Sequence, residues 1–230
     1  MIQSPLSASQ LTGQDPSHLI ALSDGNRLHP AAAKAWQQLC QLAAQDGIEL
    51  AMVSGYRSYQ RQALIWQQKY QGTRPVLDAQ QRPVAMEQLS GWPKLEAILR
   101  FSALPGASRH HWGTELDVMD KAALPPGYQL KLTADEYQAG GVFARLGSWL
   151  QQHAAKAGFF LPYQSYRGGV AAEPWHISFK PLSEPCLSAF TPQMLRHALE
   201  QEPILGQELV LAQLPRIWSN YVQNICEASA

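Results

Sequence analysis

Ten residues from Ser108 to Asp117 (SRHHWGTELD) gather two histidines, an arginine and two carboxylates around one glycine. The step from His110 to Asp117 does not suit one helix face across Gly113. It fits a loop that turns at Gly113 and then enters a strand, and Thr114–Met119 alternates enough to be that strand. Glu115 and Asp117 would then share a face. The adjacent His110 and His111 would point opposite ways on an extended segment, so only one of them suits a given site. A second short segment, Glu173-Pro174-Trp175-His176, adds another imidazole and another carboxylate three residues apart.

Hydrolytic zinc sites use three nitrogen or oxygen ligands plus water. His110, Asp117 and His176 would satisfy that set. Glu173 is then the candidate general base, and Arg57, just past a strand end, the candidate partner for a developing oxyanion. Glu115 is open to two readings, an outer support or a rival ligand. Spacing alone leaves a metal site and ordinary packed histidines as equal alternatives. His18, His29, His153 and His197 have no such neighbours and read as surface or packed residues.

The rest of the chain reads as mixed helix and strand. A helix begins at Pro30, with Trp36, Leu39, Cys40 and Ala43 on one face, and ends at Asp46-Gly47. Residues 48–53 form a short apolar strand and residues 54–58 a turn; a second helix follows, with Tyr59, Ala63, Trp66 and Tyr70 on one face and Gly72 just past its end. A loop is expected over 73–83, then partial helix over 85–101 with a break near Gly91-Trp92-Pro93. A long helix is expected over 137–157, strands at 159–163 and 175–179, and helices alone after Pro185. Ile217, Trp218, Tyr221 and Ile225 would form the stripe of the last helix. Gly168-Gly169 reads as a turn rather than a phosphate cradle. The expected architecture is α+β: a small central antiparallel sheet flanked by helices over 1–184, with a helical extension over 185–230 packed on it.

Lys+Arg and Asp+Glu both number 18, so the broad basic surface of a nucleic-acid binder is not expected. No run approaches the roughly 18 apolar residues of a membrane span. Residues 1–14 lack the basic start and apolar core of an export signal, and a cytoplasmic location is expected, with the periplasm as alternative if a signal was removed. The three cysteines, Cys40, Cys186 and Cys226, are widely spaced and read as buried small hydrophobes.

The pattern Ser-x-His-x-x-Gly-x-x-x-Asp from Ser108, followed by Glu-x-Trp-His from Glu173, resembles the VanY-type D-alanyl-D-alanine carboxypeptidases, a group related to VanX dipeptidases, lysostaphin-type peptidases and hedgehog domains. Ser54-Gly55-Tyr56-Arg57-Ser58-Tyr59 with Gln62 resembles that family's Tyr-Arg-Ser motif. The resemblance spans about Gly47 to Lys180. It implies Zn2+ held by His110, Asp117 and His176, with Glu173 as general base and Arg57 steadying substrate and transition state. It further implies Ser108 and Gln62 near the substrate's terminal carboxylate and Trp175 lining the site. Many members have a small residue where Glu115 stands, so Glu115 is a departure that could pair with Arg109.

The implied partners are peptidoglycan stem peptides (muropeptides), and the implied activity removes a C-terminal D-alanine. From the expected cytoplasmic location, an L,D-carboxypeptidase acting on tetrapeptides in wall recycling is favoured. A D,D-carboxypeptidase on pentapeptides, a cross-link endopeptidase and a metal-dependent binding module that hydrolyses nothing are the alternatives.

Overall fold

The computed structural model describes residues 6–227. Residues 1–5, which open the N-terminal stretch read for an export signal, and 228–230, which close the expected extension, lie outside them. Its strands are β1 (Ile20–Ala21), β2 (Arg27–Leu28), β3 (Leu50–Ser54), β4 (Glu115–Asp120), β5 (Phe159–Phe160) and β6 (His176–Phe179). Its helices are α1 (Ala8–Leu11), α2 (Pro30–Gln45), α3 (Tyr59–Tyr70), α4 (Gly91–Leu99), α5 (Ala134–Tyr137), α6 (Ala144–His153), α7 (Lys180–Ala189), α8 (Pro192–Gln201), α9 (Gln207–Ala212) and α10 (Leu214–Ile217). Strands β1 and β2 form a small hairpin, and the main sheet is antiparallel in the order β3-β4-β6-β5.

Two apolar clusters hold these parts. In one, α2 lays Trp36, Leu39 and Ala43 against Leu116, Val118 and Ile177 of the sheet and against Leu146 and Leu150 of α6. In the other, Trp66, Leu99 and Trp112 pack with Leu195, Leu199, Val210, Leu214, Ile217 and Trp218 from the C-terminal helices. Polar bonds tie that second union: Trp66 Nε1 donates to the Leu205 carbonyl at 2.9 Å and the Tyr59 hydroxyl to the Glu202 carbonyl at 2.5 Å.

Helix starts follow local chemistry. His29 caps α2 by accepting from the Ala31 amide, with Pro30 in the first turn, and Ser58 caps α3 by accepting from the Arg61 amide. The expected break near Gly91 is the beginning of α4, which a short 3-10 turn at Met86–Gln88 precedes.

Several expectations change. The helix expected over 137–157 is α6 with a 3-10 turn after it (Ala154–Ala157), and Tyr137 instead ends the short α5. Gly140 and Gly141 part α5 from α6, and a Cβ on Gly141 would lie 2.1 Å from the Asp135 carbonyl oxygen. The helical stretch at the C-terminus opens at Lys180 and carries Pro185 inside α7. The last stripe is shorter than expected. After Ile217 the chain widens into a π-helical turn at Trp218–Val222, so Ile225 lies beyond it and is half-buried. Strand β5 covers only two of the five expected residues. All three cysteines are free thiols; Cys186 and Cys226 are buried and Cys40 is half-buried. No helix is long and apolar enough to cross a membrane among the described residues.

Candidate active site

Strand register builds the centre. On β4, the 2-residue period turns Leu116 and Val118 into the core and Glu115 and Asp117 to the opposite face. Antiparallel pairing sets Asp117 opposite His176 and Glu115 opposite Ser178, while Ser54 of β3 meets Asp117 from the other side. The loop before β4 then brings in His110. Here the structure corrects the extended reading of the double histidine: Arg109–Trp112 is a 3-10 turn closed by Gly113 in the left-handed conformation at φ 68°. The two imidazoles still part company, because the helical turn sends them different ways.

His110, Asp117 and His176 are all buried, and one ligand atom from each lies within 4.8 Å of the others. The hydrogen bonds assign their free lone pairs. His110 Nδ1 lies 2.7 Å from the Gly55 carbonyl, which only accepts, so Nδ1 carries the proton and Nε2 faces Asp117 at 3.4 Å. His176 Nδ1 faces Asp117 Oδ1 at 3.1 Å, while its Nε2 faces Glu115 Oε2 at 2.9 Å. Two imidazoles and a carboxylate are the donor set of a hydrolytic zinc site, and carbonyl or carboxylate support on the far imidazole nitrogen is the usual backing of such ligands. The residues therefore fit a divalent metal, with His110 Nε2, Asp117 and His176 Nδ1 as donors.

Glu115 is thus the outer support of His176. It has no exposed surface, and its Oε1 receives bonds from Thr114, Ser178 and Arg109, the last at 3.2 Å. Burial would raise its pKa, but Arg109, His176 and Ser178 outweigh that and hold it at about 2. Burial also opposes charge on His176, yet bonds to Asp117 and Glu115 prevail and lift it to about 10 in the metal-free protein. Asp117 is held well below the carboxylate range by His110 and His176 in spite of its burial.

The triad opens into a cleft of about 310 Å³. Glu173 lines it, 3.6 Å from His176 Nδ1. Burial, with the Asp117 charge, raises the Glu173 carboxyl to about 7 against the pull of His176 and Arg57. Arg57 lines it too and stands 3.7 Å from Asp117 Oδ2. Ser108 and Trp175 are both lining residues; Trp175 also packs on Tyr137 within the core, with ring centroids 5.7 Å apart. Gln62 is placed differently from expectation. It is fully buried behind the wall, its Oε1 accepting from Arg57 at 3.0 Å and its Nε2 donating to the Ala103 carbonyl at 2.7 Å. Both ends of its amide are engaged, so Gln62 here aims Arg57.

The strand exit after β3 and the histidine loop are stitched together. The Arg57 amide donates to the His110 carbonyl, and His111 bridges the Arg57 carbonyl, through Nδ1 at 2.6 Å, and the Gly106 amide, through Nε2 at 3.1 Å. His111 is thereby a neutral strut, and burial pushes its pKa down to about 3. Two further lining residues, not singled out from sequence, stand near the centre. Tyr163 meets the His176 ring edge-on at 5.0 Å, and Lys69 reaches the cleft from α3 onto Ser102. Nothing local in the sequence marks Lys69.

Residues 25–182 match the family model described as VanY, D-alanyl-D-alanine carboxypeptidase. An uncharacterized protein of Haemophilus influenzae is 40% identical over 121 residues, which cover 52% of this chain and 92% of that protein. Among solved structures, VanYB in complex with D-alanine-D-alanine aligns with a TM-score of 0.53 at 22% identity over 82% of this chain and 91% of that one. The LdcB LD-carboxypeptidase aligns with a TM-score of 0.52 at 22% identity over 86% and 79%. At these identities the two structures show a shared fold.

Proposed function

Because the chain belongs to the VanY family of D-alanyl-D-alanine carboxypeptidases, we propose that it is a zinc-dependent carboxypeptidase that removes the C-terminal D-alanine of peptidoglycan stem peptides. The observation that carries this reading is the Glu173 carboxyl beside the His110–Asp117–His176 group in one cleft. A zinc ion held by those three residues would supply a Lewis acid that polarises the scissile carbonyl and makes water more acidic. Glu173, 3.6 Å from His176, takes a proton from the attacking water and returns it to the departing amine of D-alanine as the C–N bond breaks. Arg57, held by Gln62, faces the carbonyl oxygen as negative charge builds there. Ser108 and Trp175 line the cleft where the peptide lies. A binding module without hydrolysis would need neither Glu173 nor Arg57 in this position.

The bond class follows from substrate. We take the L,D bond of tetrapeptides as the first reading, supported by a fold neighbour that is an LD-carboxypeptidase. The D,D bond of pentapeptides is the second, supported by a fold neighbour that binds D-alanine-D-alanine. Mass spectrometry of both peptides incubated with the zinc-loaded protein separates them. Loss of one D-alanine from the tetrapeptide alone supports the L,D reading, and loss from the pentapeptide alone the D,D reading. Glu173→Gln is expected to lower the rate by about 10²–10⁴-fold while retaining the metal. An intact protein that holds zinc and trims neither peptide would overturn the carboxypeptidase reading.

A further inference from the structure

Lys69 sits near the end of α3 with 9% of its surface exposed, yet it lines the cleft. Its single polar partner among the described residues is the neutral Ser102 hydroxyl, which accepts from Nζ at 2.7 Å. No carboxylate lies within 4 Å of Nζ among them, whereas the other cations near the triad are matched: Arg57 with Asp117 and Arg109 with Glu115. A buried ammonium without a counter-charge is costly to fold around. Burial accordingly depresses its pKa to about 8, helped by Arg74 and Arg57 and opposed by Glu173. The same cleft also presents Arg74 and Lys131, neither of which is ion-paired among the described residues. The formal net charge of the chain is zero, so this one wall is locally cationic by arrangement and not by composition.

We propose that Lys69, with Ser102 beside it and Arg74 on the same wall, is a substrate-binding residue that receives a carboxylate of the peptide. The inference rests on the carboxypeptidase reading of the site and names a recognition element within it. Two groups of a stem peptide share this chemistry: the C-terminal carboxylate of the leaving D-alanine and a free carboxylate upstream of the scissile bond. With Gln62 of α3 turned to Arg57 and Ala103, its amide is spent on the protein, and Lys69, bonded only to Ser102, is the cation of α3 left to meet a substrate carboxylate.

Calorimetry with an uncleavable tetrapeptide, N-methylated at the scissile amide, tests this on the zinc-loaded protein. Three versions are used: all carboxylates free, the C-terminal one amidated, and the upstream ones amidated. Lys69→Met is expected to bind the free peptide about tenfold or more weakly than wild type, and Lys69→Arg to recover most of the difference. Amidation of the carboxylate that Lys69 reads should weaken wild type by the same factor and leave Lys69→Met indifferent, and the version that does so identifies the source. Lys69→Met binding of the free peptide within about twofold of wild type overturns the proposal. So does an equal loss across all three peptides, which marks a structural defect, or no binding to wild type. Cleavage of the unmethylated parent by wild type is scored separately and reports on the carboxypeptidase reading alone.

Discussion

Glu115 shows how one residue's role depends on which atom faces which neighbour. By position alone it competes with Asp117 for the metal. Its Oε2 instead meets the far nitrogen of His176, and its Oε1 is occupied by Arg109, Ser178 and Thr114. Glu115→Gln keeps the shape and removes the charge that backs His176. It is expected to weaken zinc binding by about 10–100-fold in chelator competition, with circular dichroism of the metal-free variant unchanged. The His110, Asp117 and His176 set was legible through the family motif, since spacing alone left it equal to packed histidines. The backing was not, since it depends on the pairing of β4 with β6.

Among the elements, those with a local stop signal were legible: α2 ends at Asp46-Gly47, and α3 ends just short of Gly72. Those whose shape is set by distant contacts were not. Residues 137–157 keep helical periodicity throughout, yet the chain breaks at Gly140-Gly141, where the Glu136 carbonyl is taken by the Phe143 amide. Gly13 is a similar case. It follows the four-residue helix α1 at φ +78°, its carbonyl accepts from the Tyr59 amide, and a Cβ there would lie 2.3 Å from His111 Nδ1. That glycine lets the N-terminal turn press on the strut that holds Arg57. Gly13→Ala is expected to destabilise the protein by about 1–3 kcal/mol in thermal denaturation, because neither the backbone conformation nor the His111 ring accommodates the methyl.

For the whole molecule, the C-terminal helices share one apolar cluster with the helix that follows the Tyr-Arg-Ser turn. Leu195, Leu199, Val210, Leu214 and Ile217 have at most 2% of their surface exposed, and they complete the surroundings of Trp66 and Trp112. Trp112 lies two residues from His110, so loss of these helices reaches the metal ligands. A chain ending at residue 184 is expected to lose cooperative thermal unfolding and stoichiometric zinc uptake together, both measurable by calorimetry. Sequence periodicity marked these segments as helical and apolar on one face, but which surface they cover is a tertiary fact.

Two of the three donors, Asp117 and His176, sit on hydrogen-bonded strands, where a slip of one residue would turn them to the wrong face. The cationic wall comes from a helix end and the loop that follows it. A substitution propagates differently through these two parts. A change that shifts strand register disturbs the His110–Asp117–His176 group as a whole, whereas Lys69 and Arg74 can each be replaced without moving a strand. A lineage carrying this scaffold can therefore change which peptide it accepts long before it changes what it does to one.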